Sequence, residues 1–166
     1  MSPSLEGLIG RGLAEELTQA FGRIVHCLNQ LREEQVWQRP TDAMNSIGNL
    51  LLHLAGNVRQ WIIAGLGGET DIRDRPSEFA ERGPISKAEL LAKLEATVDE
   101  AKIVLETQTA EAWRRPLRIQ AFQTNGFGAA LHSVTHFQGH TQEIVHMTRS
   151  LRGDKYQFAW VPQTRE

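Results

Sequence analysis

The sequence predicts an all-α protein, a four-helix bundle formed by a single domain over residues 1–166, with a long crossover between the second and third helices. Apolar residues recur at spacings of three and four in four long segments, which is the period of an amphipathic helix. Segments that alternate like a β-strand are almost absent, and 166 residues are a usual size for one domain. Four such helices bury their apolar faces against one another.

The first two helices are separated by a proline. Apolar residues with a helical period run from Leu5 to Leu31. The helix cannot continue through Pro40, because the residue before a proline is pushed out of the helical region. Asn45 or Ser46 could cap the second helix, whose apolar face runs to the glycine-rich stretch 65–68.

The second half of the chain begins with a charged stretch. Residues 69–85 contain two prolines and predict a surface loop, which forms the long crossover. Ser86 and Glu89 match a capping box, so the third helix is predicted to begin there and to close within 109–116. Residues 117–126 lack a helical period and end in an Asn-Gly pair, so we expect an ordered extended loop.

The fourth helix is predicted from about Phe127 to Leu151, ended by Gly153. The tail that follows is rich in aromatic residues. We therefore expect the tail to lie along the bundle, with its contacts made by Tyr156, Phe158, Trp160 and Pro162.

The composition excludes several classes of partner. Lysine and arginine total 18 against 20 aspartates and glutamates, a net charge of -2, so nucleic acid is not expected as a partner. The sequence shows no signal peptide and no apolar stretch that could span a bilayer, so we expect a cytoplasmic protein without a membrane partner. Cys27 is the single cysteine and has no basic neighbour in sequence, so we expect an inert thiol.

Three of the six histidines, His132, His136 and His140, are spaced four residues apart in the predicted fourth helix. A step of four residues turns a helix by only about 40° and raises it by about 6 Å, so the three rings share one face. Two imidazoles at this spacing can converge on one metal ion. Such a stripe can also be a hydrogen-bonded core feature or a solvated surface. A metal would need a third ligand, because two imidazoles make a weak and unselective site.

His53 is the natural third ligand. It lies midway along the second helix at the border of the apolar face, beside Asn49 and Asn57, which we expect to contact a cofactor. A lone histidine in that place is also typical of a satisfied core residue, but bundle cores assemble metal sites from facing helices, which favours ligation. His26 and His146 have no partner at a useful spacing and are interpreted as structural or surface residues.

These segments resemble the DinB-like superfamily, also called YfiT-like. The second helix reads SIGNLLLHL from Ser46, and the fourth reads HxxxHxxxHTQEI from His132. The resemblance covers nearly the whole chain, including the order of the helices and the crossover. It implies a metal-binding four-helix bundle in which one histidine of the second helix and an HxxxH pair of the last helix hold a divalent ion. The matching positions here are His53, His136 and His140.

The resemblance also bears on two neighbouring residues. His132 matches a histidine that many relatives carry one turn before the ligands, where it supports them. Relatives often read His-Arg-Gly-Gln after the last ligand, whereas this chain reads His-Thr-Gln-Glu and so places Glu143 near the metal. We interpret Glu143 as a candidate catalytic base or as an acceptor for a ligand histidine. A charged residue on an exposed helix face is the alternative interpretation.

A site of this kind would be catalytic, because three neutral imidazoles leave a coordination position open. Imidazole suits several metals, and we expect zinc or nickel. The metal would lower the pKa of a bound thiol or water. Characterised relatives include thiol transferases that use bacillithiol or mycothiol and a mycothiol-dependent maleylpyruvate isomerase. The resemblance therefore implies a metal-dependent transferase that joins a low-molecular-weight thiol to an electrophilic small molecule. The alternatives are a non-enzymatic, stress-associated metal-binding bundle and a metal-dependent hydrolase.

The fourth helix is apolar on more than one side. Leu131, Val134 and Val145 point away from the face that carries the histidines. We expect the extra apolar surface to be covered by the aromatic tail or by a second copy of the chain, and a two-fold homodimer is the commonest solution. Relatives in the superfamily are similar in being dimeric.

Overall fold

A computed structural model describes residues 4–160, and four long helices build its bundle. The helices are α1 (Leu5–Leu28), α3 (Ile47–Val58, which continues as a π-helical segment, Arg59–Leu66), α5 (Lys87–Thr107) and α7 (Gly126–Arg152). Helix α1 packs against α5 and α7, and α3 packs against the same two helices from the other side of the core. The predicted four-helix bundle is therefore confirmed.

Short elements fill the connections between the long helices. They are α2 (Glu33–Val36), α4 (Arg75–Ala80), α6 (Ala110–Arg114), the strands β1 (Pro116–Ile119) and β2 (Phe122–Asn125), and a 3-10 turn (Gly153–Lys155). The two strands form an antiparallel hairpin in which Pro116 lies opposite Asn125 and Ile119 lies opposite Phe122. No helix of the described chain is long and apolar enough to cross a bilayer.

Two helices begin at the predicted capping residues. The Ser46 hydroxyl accepts from the Asn49 backbone N–H at 3.2 Å, and Asn49 Oδ1 accepts from the Ser46 backbone N–H at 3.2 Å. Ser86 and Glu89 form the same reciprocal arrangement at the start of α5. Each pair satisfies backbone donors that the first turn of a helix leaves free, which is why the chain enters the helix there.

The first helix is shorter than predicted: it ends at Leu28, whereas the apolar pattern predicted a helix to Leu31. The backbone tightens there into bonds between residues three apart, from Gln30 to Cys27 and from Leu31 to Leu28. The Lys87 ammonium donates to the carbonyl oxygens of Leu28 and Leu31, at 3.3 and 2.6 Å. A cation at this position stabilises the free carbonyls of a helix end.

Two predictions about the connections need correction. Residues 69–85 are not only a loop, because α4 lies within them, capped by the Asp74 side chain. Residues 117–126 are extended as predicted, but they form a hairpin whose turn contains Gln120 with a φ of 55°, and not an Asn-Gly turn. Asn125 instead caps α7, accepting from the Gly128 N–H at 2.8 Å. An Asn side chain serves a helix start as well as a turn, so composition did not distinguish the two.

The tail packs along α1 and α7 as far as it is described. The Gln157 backbone N–H donates to the Gln30 side chain at 2.7 Å, and the Gln157 carbonyl contacts His26 Nε2 at 2.7 Å. The Arg149 guanidinium lies over the rings of Tyr156 and Phe158. His26 therefore has a structural role, in agreement with its interpretation from the sequence. The predicted contact of Pro162 lies outside the described residues.

The apolar residues of α7 divide between core and surface. Val134 points away from the histidines, but it is only 4% exposed and packs in the core of this chain, so it needs no cover from the tail or from a second copy. Val145 lines a cavity together with Tyr156 and Phe158 of the tail, which therefore covers part of this side of the helix. Leu131 stays 41% exposed.

Candidate metal centre

Helices α3 and α7 bring three histidines together inside the bundle. The candidate ligand atoms of His53, His136 and His140 all lie within 4.8 Å of one another. His53 Nε2 and His136 Nε2 are 2.9 Å apart, and the ring centroids of His136 and His140 are separated by 4.5 Å. Within residues 4–160 this is the one group of three metal-ligating side chains gathered so closely.

The local sequence explains why the rings converge. His136 and His140 lie one turn apart on α7 and therefore share a face. A buried hydrogen bond ties that face to α3, because Ser133 Oγ donates to Asn57 Oδ1 at 2.8 Å. Ser133 lies one turn before the histidine pair, and Asn57 lies one turn after His53. The bond fixes the approach of the two helices next to the histidines.

The surroundings keep the central histidine neutral. Burial, together with the nearby charges that His140, His53, His132 and Arg73 can carry, lowers the pKa of His136 from 6.5 to about 4. A neutral imidazole has a free nitrogen lone pair, which is the form that binds a metal. At neutral pH His136 therefore does not need to release a proton before it can act as a ligand.

A buried ion pair contacts the outer nitrogen of His53. Glu78 of α4 lies with its Oε2 3.0 Å from His53 Nδ1, and the same carboxylate receives two bonds from Arg73, at 2.7 and 2.8 Å. The side chains of His53, Glu78 and Arg73 are 6%, 8% and 2% exposed. Burial alone would raise the pKa of Glu78, but the hydrogen bonds from Arg73 and His53 outweigh it and the pKa is lowered. Glu78 is therefore a carboxylate at neutral pH.

Sequence reasoning missed both members of this ion pair. Arg73 and Glu78 lie in the stretch 69–85, which was expected to be a surface loop. The available signal was Asp74 two residues before Pro76, a pattern that begins helices and would have indicated α4. The contact itself joins residues 25 positions apart and follows no period, so no local pattern reveals it.

Two further predicted residues lie beside the cluster. Glu143 Oε2 is 2.7 Å from His140 Nδ1, and the Glu143 side chain is 44% exposed. His132 is exposed and its ring lies tilted against that of Trp61, with centroids 4.1 Å apart and an interplanar angle of 35°. The His132 ring is also nearly parallel to that of His136, at 5.9 Å. His132 thus lies behind the cluster and is not one of the three converging rings.

The two asparagines expected to contact a cofactor are occupied by protein groups. Asn49 is fully buried, and its amide nitrogen donates to the backbone carbonyls of Glu78 and Glu81, at 2.9 and 3.0 Å. Its oxygen accepts from Arg39 at 2.7 Å. Asn57 Oδ1 accepts the hydrogen bond from Ser133 Oγ. Both residues therefore shape the surroundings of the cluster through α4 and α7.

The donor set fits a divalent metal. Three imidazoles from two helices could hold the ion, and the outer nitrogens of two of them contact carboxylates, an arrangement common around metal-binding histidines. Three protein ligands leave at least one position for another molecule. The lone cysteine is not available there, because Cys27 is fully buried on α1 and burial raises the pKa of its thiol.

Two solved structures share the fold at low sequence identity. A conserved protein of Enterococcus faecalis is 18% identical with a TM-score of 0.73, over 85% of this chain and 95% of that one. A DinB-like protein of Bacillus subtilis, YjoA, is 11% identical with a TM-score of 0.65, over 84% of this chain and 92% of that one. No curated protein matches the sequence. At these identities the likeness shows the fold alone.

A sequence match over most of the chain gives the family. The model of DUF1572, described as a protein of unknown function, matches residues 13–165. The matched range contains the three clustered histidines and the carboxylates that contact them. DUF1572 is a DinB-like family, which agrees with the fold and confirms the resemblance read from the two histidine-bearing helices. The chain therefore belongs to the DUF1572 family of DinB-like proteins.

Proposed function

We propose that this protein is a metal-dependent transferase that joins a low-molecular-weight thiol to an electrophilic small molecule. The observation that carries the proposal is the cluster itself, three histidines that converge from two helices without a fourth protein ligand among the described residues. A structural metal site is closed by four protein ligands, whereas a catalytic site keeps a position for substrate. We take zinc or nickel as the ion, since both accept imidazole.

Access to solvent supports a reaction at this site. His136 and His140 are half-buried, and the His140 side chain is 24% exposed, so the cluster is reachable from one side. On the protein side, His53 comes from a buried and hydrogen-bonded setting that holds it in place. The cluster therefore has a buried, hydrogen-bonded side at His53 and a solvent-accessible side at His136 and His140, as a small-molecule site requires.

The nucleophile would come from outside the protein. Cys27 is buried in the core, and no other thiol is present in the sequence. When bound, a divalent metal lowers the pKa of a thiol or water, which supplies the nucleophile at neutral pH. In the proposed reaction the thiol loses its proton and its sulphur forms a bond to the electrophilic carbon. An alkylating electrophile then loses its leaving group with the bonding electron pair, whereas an unsaturated one takes up a proton on the neighbouring carbon.

Glu143 is the proposed acceptor of the thiol proton. Its carboxylate lies on the exposed edge of the cluster and contacts His140 Nδ1, so it can both orient that ring and take a proton from a molecule bound beside it. Glu78 cannot serve in this way, because its carboxylate is buried and already accepts from Arg73 and His53.

The test is a conjugation screen with protein purified without an affinity tag. Zinc-loaded and nickel-loaded protein would be assayed with several cellular thiols against a panel of alkylating and unsaturated electrophiles. We expect thiol consumption that needs the metal and disappears in His140→Ala. Metal-dependent cleavage of esters without thiol would identify a hydrolase instead, and bound metal without any turnover would identify a metal-binding bundle.

A further inference from the structure

We infer that Glu78 is a positioning residue for the metal centre, which holds His53 so that its Nε2 faces the other two histidines. The inference rests on the proposed metal binding. Glu78 belongs to α4, an element of the crossover, and touches none of the other ligands among its hydrogen-bond partners. Its effect on the metal would therefore pass through the ring of His53.

The hydrogen-bond partners of His53 place its proton on Nδ1. A carboxylate only accepts hydrogen bonds and an arginine only donates them. His53 Nδ1 has two neighbours, Glu78 Oε2 at 3.0 Å, which accepts, and Arg73 Nη2 at 3.1 Å, which donates. Because Nη2 already donates to Glu78 Oε2 at 2.8 Å, we assign the proton to Nδ1, where it bonds to the carboxylate. The other nitrogen, Nε2, then has a free lone pair and lies 2.9 Å from His136 Nε2, on the side of the cluster. The opposite tautomer would set the Nδ1 lone pair against a carboxylate oxygen.

Hydrogen bonds hold the Glu78 carboxylate in one orientation. Arg73 donates to both oxygens of Glu78, and its Nη1 also donates to Gln60 Oε1 at 2.9 Å. Gln60 in turn donates to Asp71 at 2.8 Å. The guanidinium is thus fixed on two sides while its own side chain is 2% exposed. A bidentate bond of this kind sets the orientation of a carboxylate as well as its charge.

The Glu78 carboxylate occupies the space beside Gly56. Gly56 lies on α3 three residues after His53, so the two residues share a face of the helix. A Cβ atom at Gly56 would overlap Glu78 Oε1 and lie only 2.8 Å from its Cδ. The absence of a side chain at this position lets the Glu78 carboxylate lie against the helix that carries the ligand. Gly56 therefore provides the space in which the Glu78 carboxylate lies.

The backbone of this region is anchored without the Glu78 side chain. Asn49 donates to the carbonyls of Glu78 and Glu81, and Arg39 donates to the Glu81 carbonyl at 2.9 Å. These bonds attach α4 to the start of α3. A change in the Glu78 carboxylate should therefore leave α4 in place. The effect of Glu78 on the orientation and tautomer of His53 can then be measured in a folded protein.

The experiment measures zinc and nickel affinity by competition with a chelator, and the tautomer of His53 by nitrogen-15 NMR of the metal-free protein. Glu78→Gln keeps the size of the side chain, and Gly56→Ala fills the space in which the Glu78 carboxylate lies. We expect both variants to bind the metal about 10-fold to 100-fold more weakly, with the Nδ1–H signal of His53 reduced. Glu100→Gln is the matched control, because it removes another arginine partner, that of Arg59, away from the histidines.

A double variant separates positioning from folding. Arg73→Gln/Glu78→Gln leaves no unpaired buried charge, so we expect its melting temperature to recover relative to Glu78→Gln while its metal affinity stays low. Affinity that recovers together with the melting temperature would assign Glu78 a structural role only and overturn the inference. Unchanged affinity and tautomer in Glu78→Gln would overturn it as well. A wild-type protein that binds no metal would refute the proposed function, and the His53 tautomer would still test the role of Glu78.

Discussion

Several groups around His136 oppose its protonation. Its ring lies among His53, His140 and His132, with Arg73 nearby, and burial removes the water that would stabilise the charged form. A metal ion uses the same lone pair that a proton would take. The neutral state that the fold imposes on His136 is therefore the state that ligation needs.

This environment makes the stability of the metal-free protein depend on pH. The pKa of His136 is about 4 in the folded protein against 6.5 for the ordinary group, so between these values the unfolded chain binds more protons. The free energy of unfolding should accordingly fall as the pH is lowered from 6.5 to 4. Urea titrations of the wild type and of His136→Gln would measure it. The variant should lose less stability over this range, and parallel curves would show that His136 titrates normally.

Glu143 gives a second test at a single residue. If it accepts the thiol proton, Glu143→Gln should lower the rate by about 100-fold or more while the metal stays bound. Cys27→Ala is the matched control and should keep the rate, because the buried thiol takes no part. Both are measured as turnover per bound metal ion. A rate within twofold of the wild type in Glu143→Gln would leave Glu143 only the contact with His140, and loss of turnover in Cys27→Ala would show that the nucleophile is protein-borne.

At the level of elements, the hydrogen bond between α3 and α7 should contribute measurably to the free energy of unfolding. Ser133→Ala would leave Asn57 Oδ1 buried without its donor, which destabilises a protein by about 1–3 kcal/mol. Ser150→Ala on the same helix is the control, because Ser150 is exposed and its hydroxyl donates to the His146 carbonyl within the same helix. Urea unfolding compares the two. Equal stability would mean that the bond does not hold the helices together.

How far the sequence predicts an element depends on the range of its signal. The starts of α3 and α5 follow from Ser46 and Ser86, because a capping bond joins residues three apart. The pairing of His136 with His140 follows from one helical turn. Helix α4 has six residues, too few to show a period, and it was missed. The contact between Glu78 and His53 depends on how the crossover folds back onto α3. Tertiary packing determines that path, and no local sequence pattern predicts it.

On the scale of the whole molecule, the remaining exposed apolar residues bear on assembly. Phe127 and Leu131 lie one turn apart on α7 and are each 41% exposed, and Phe127 lines a groove with Leu5 of α1. We propose that a second copy of the chain covers this face as a two-fold homodimer.

Solution scattering tests the assembly. Leu131→Glu should convert a dimer to a monomer, because a charge would be buried at the interface. Ile103→Glu on α5 is the control, since Ile103 is 66% exposed on another helix. A wild-type monomer at high concentration would contradict the dimer.

The histidine cluster lies between α3 and α7, and both helices fall within the range that the family model matches. Elemental analysis of tag-free protein tests most directly whether this cluster binds a divalent metal. We expect one divalent ion per chain in the wild type and none in His136→Ala, with a lower melting temperature whenever the ion is absent. A wild-type protein that takes up neither zinc nor nickel, or a His136→Ala variant that keeps the ion, would contradict metal binding at this cluster.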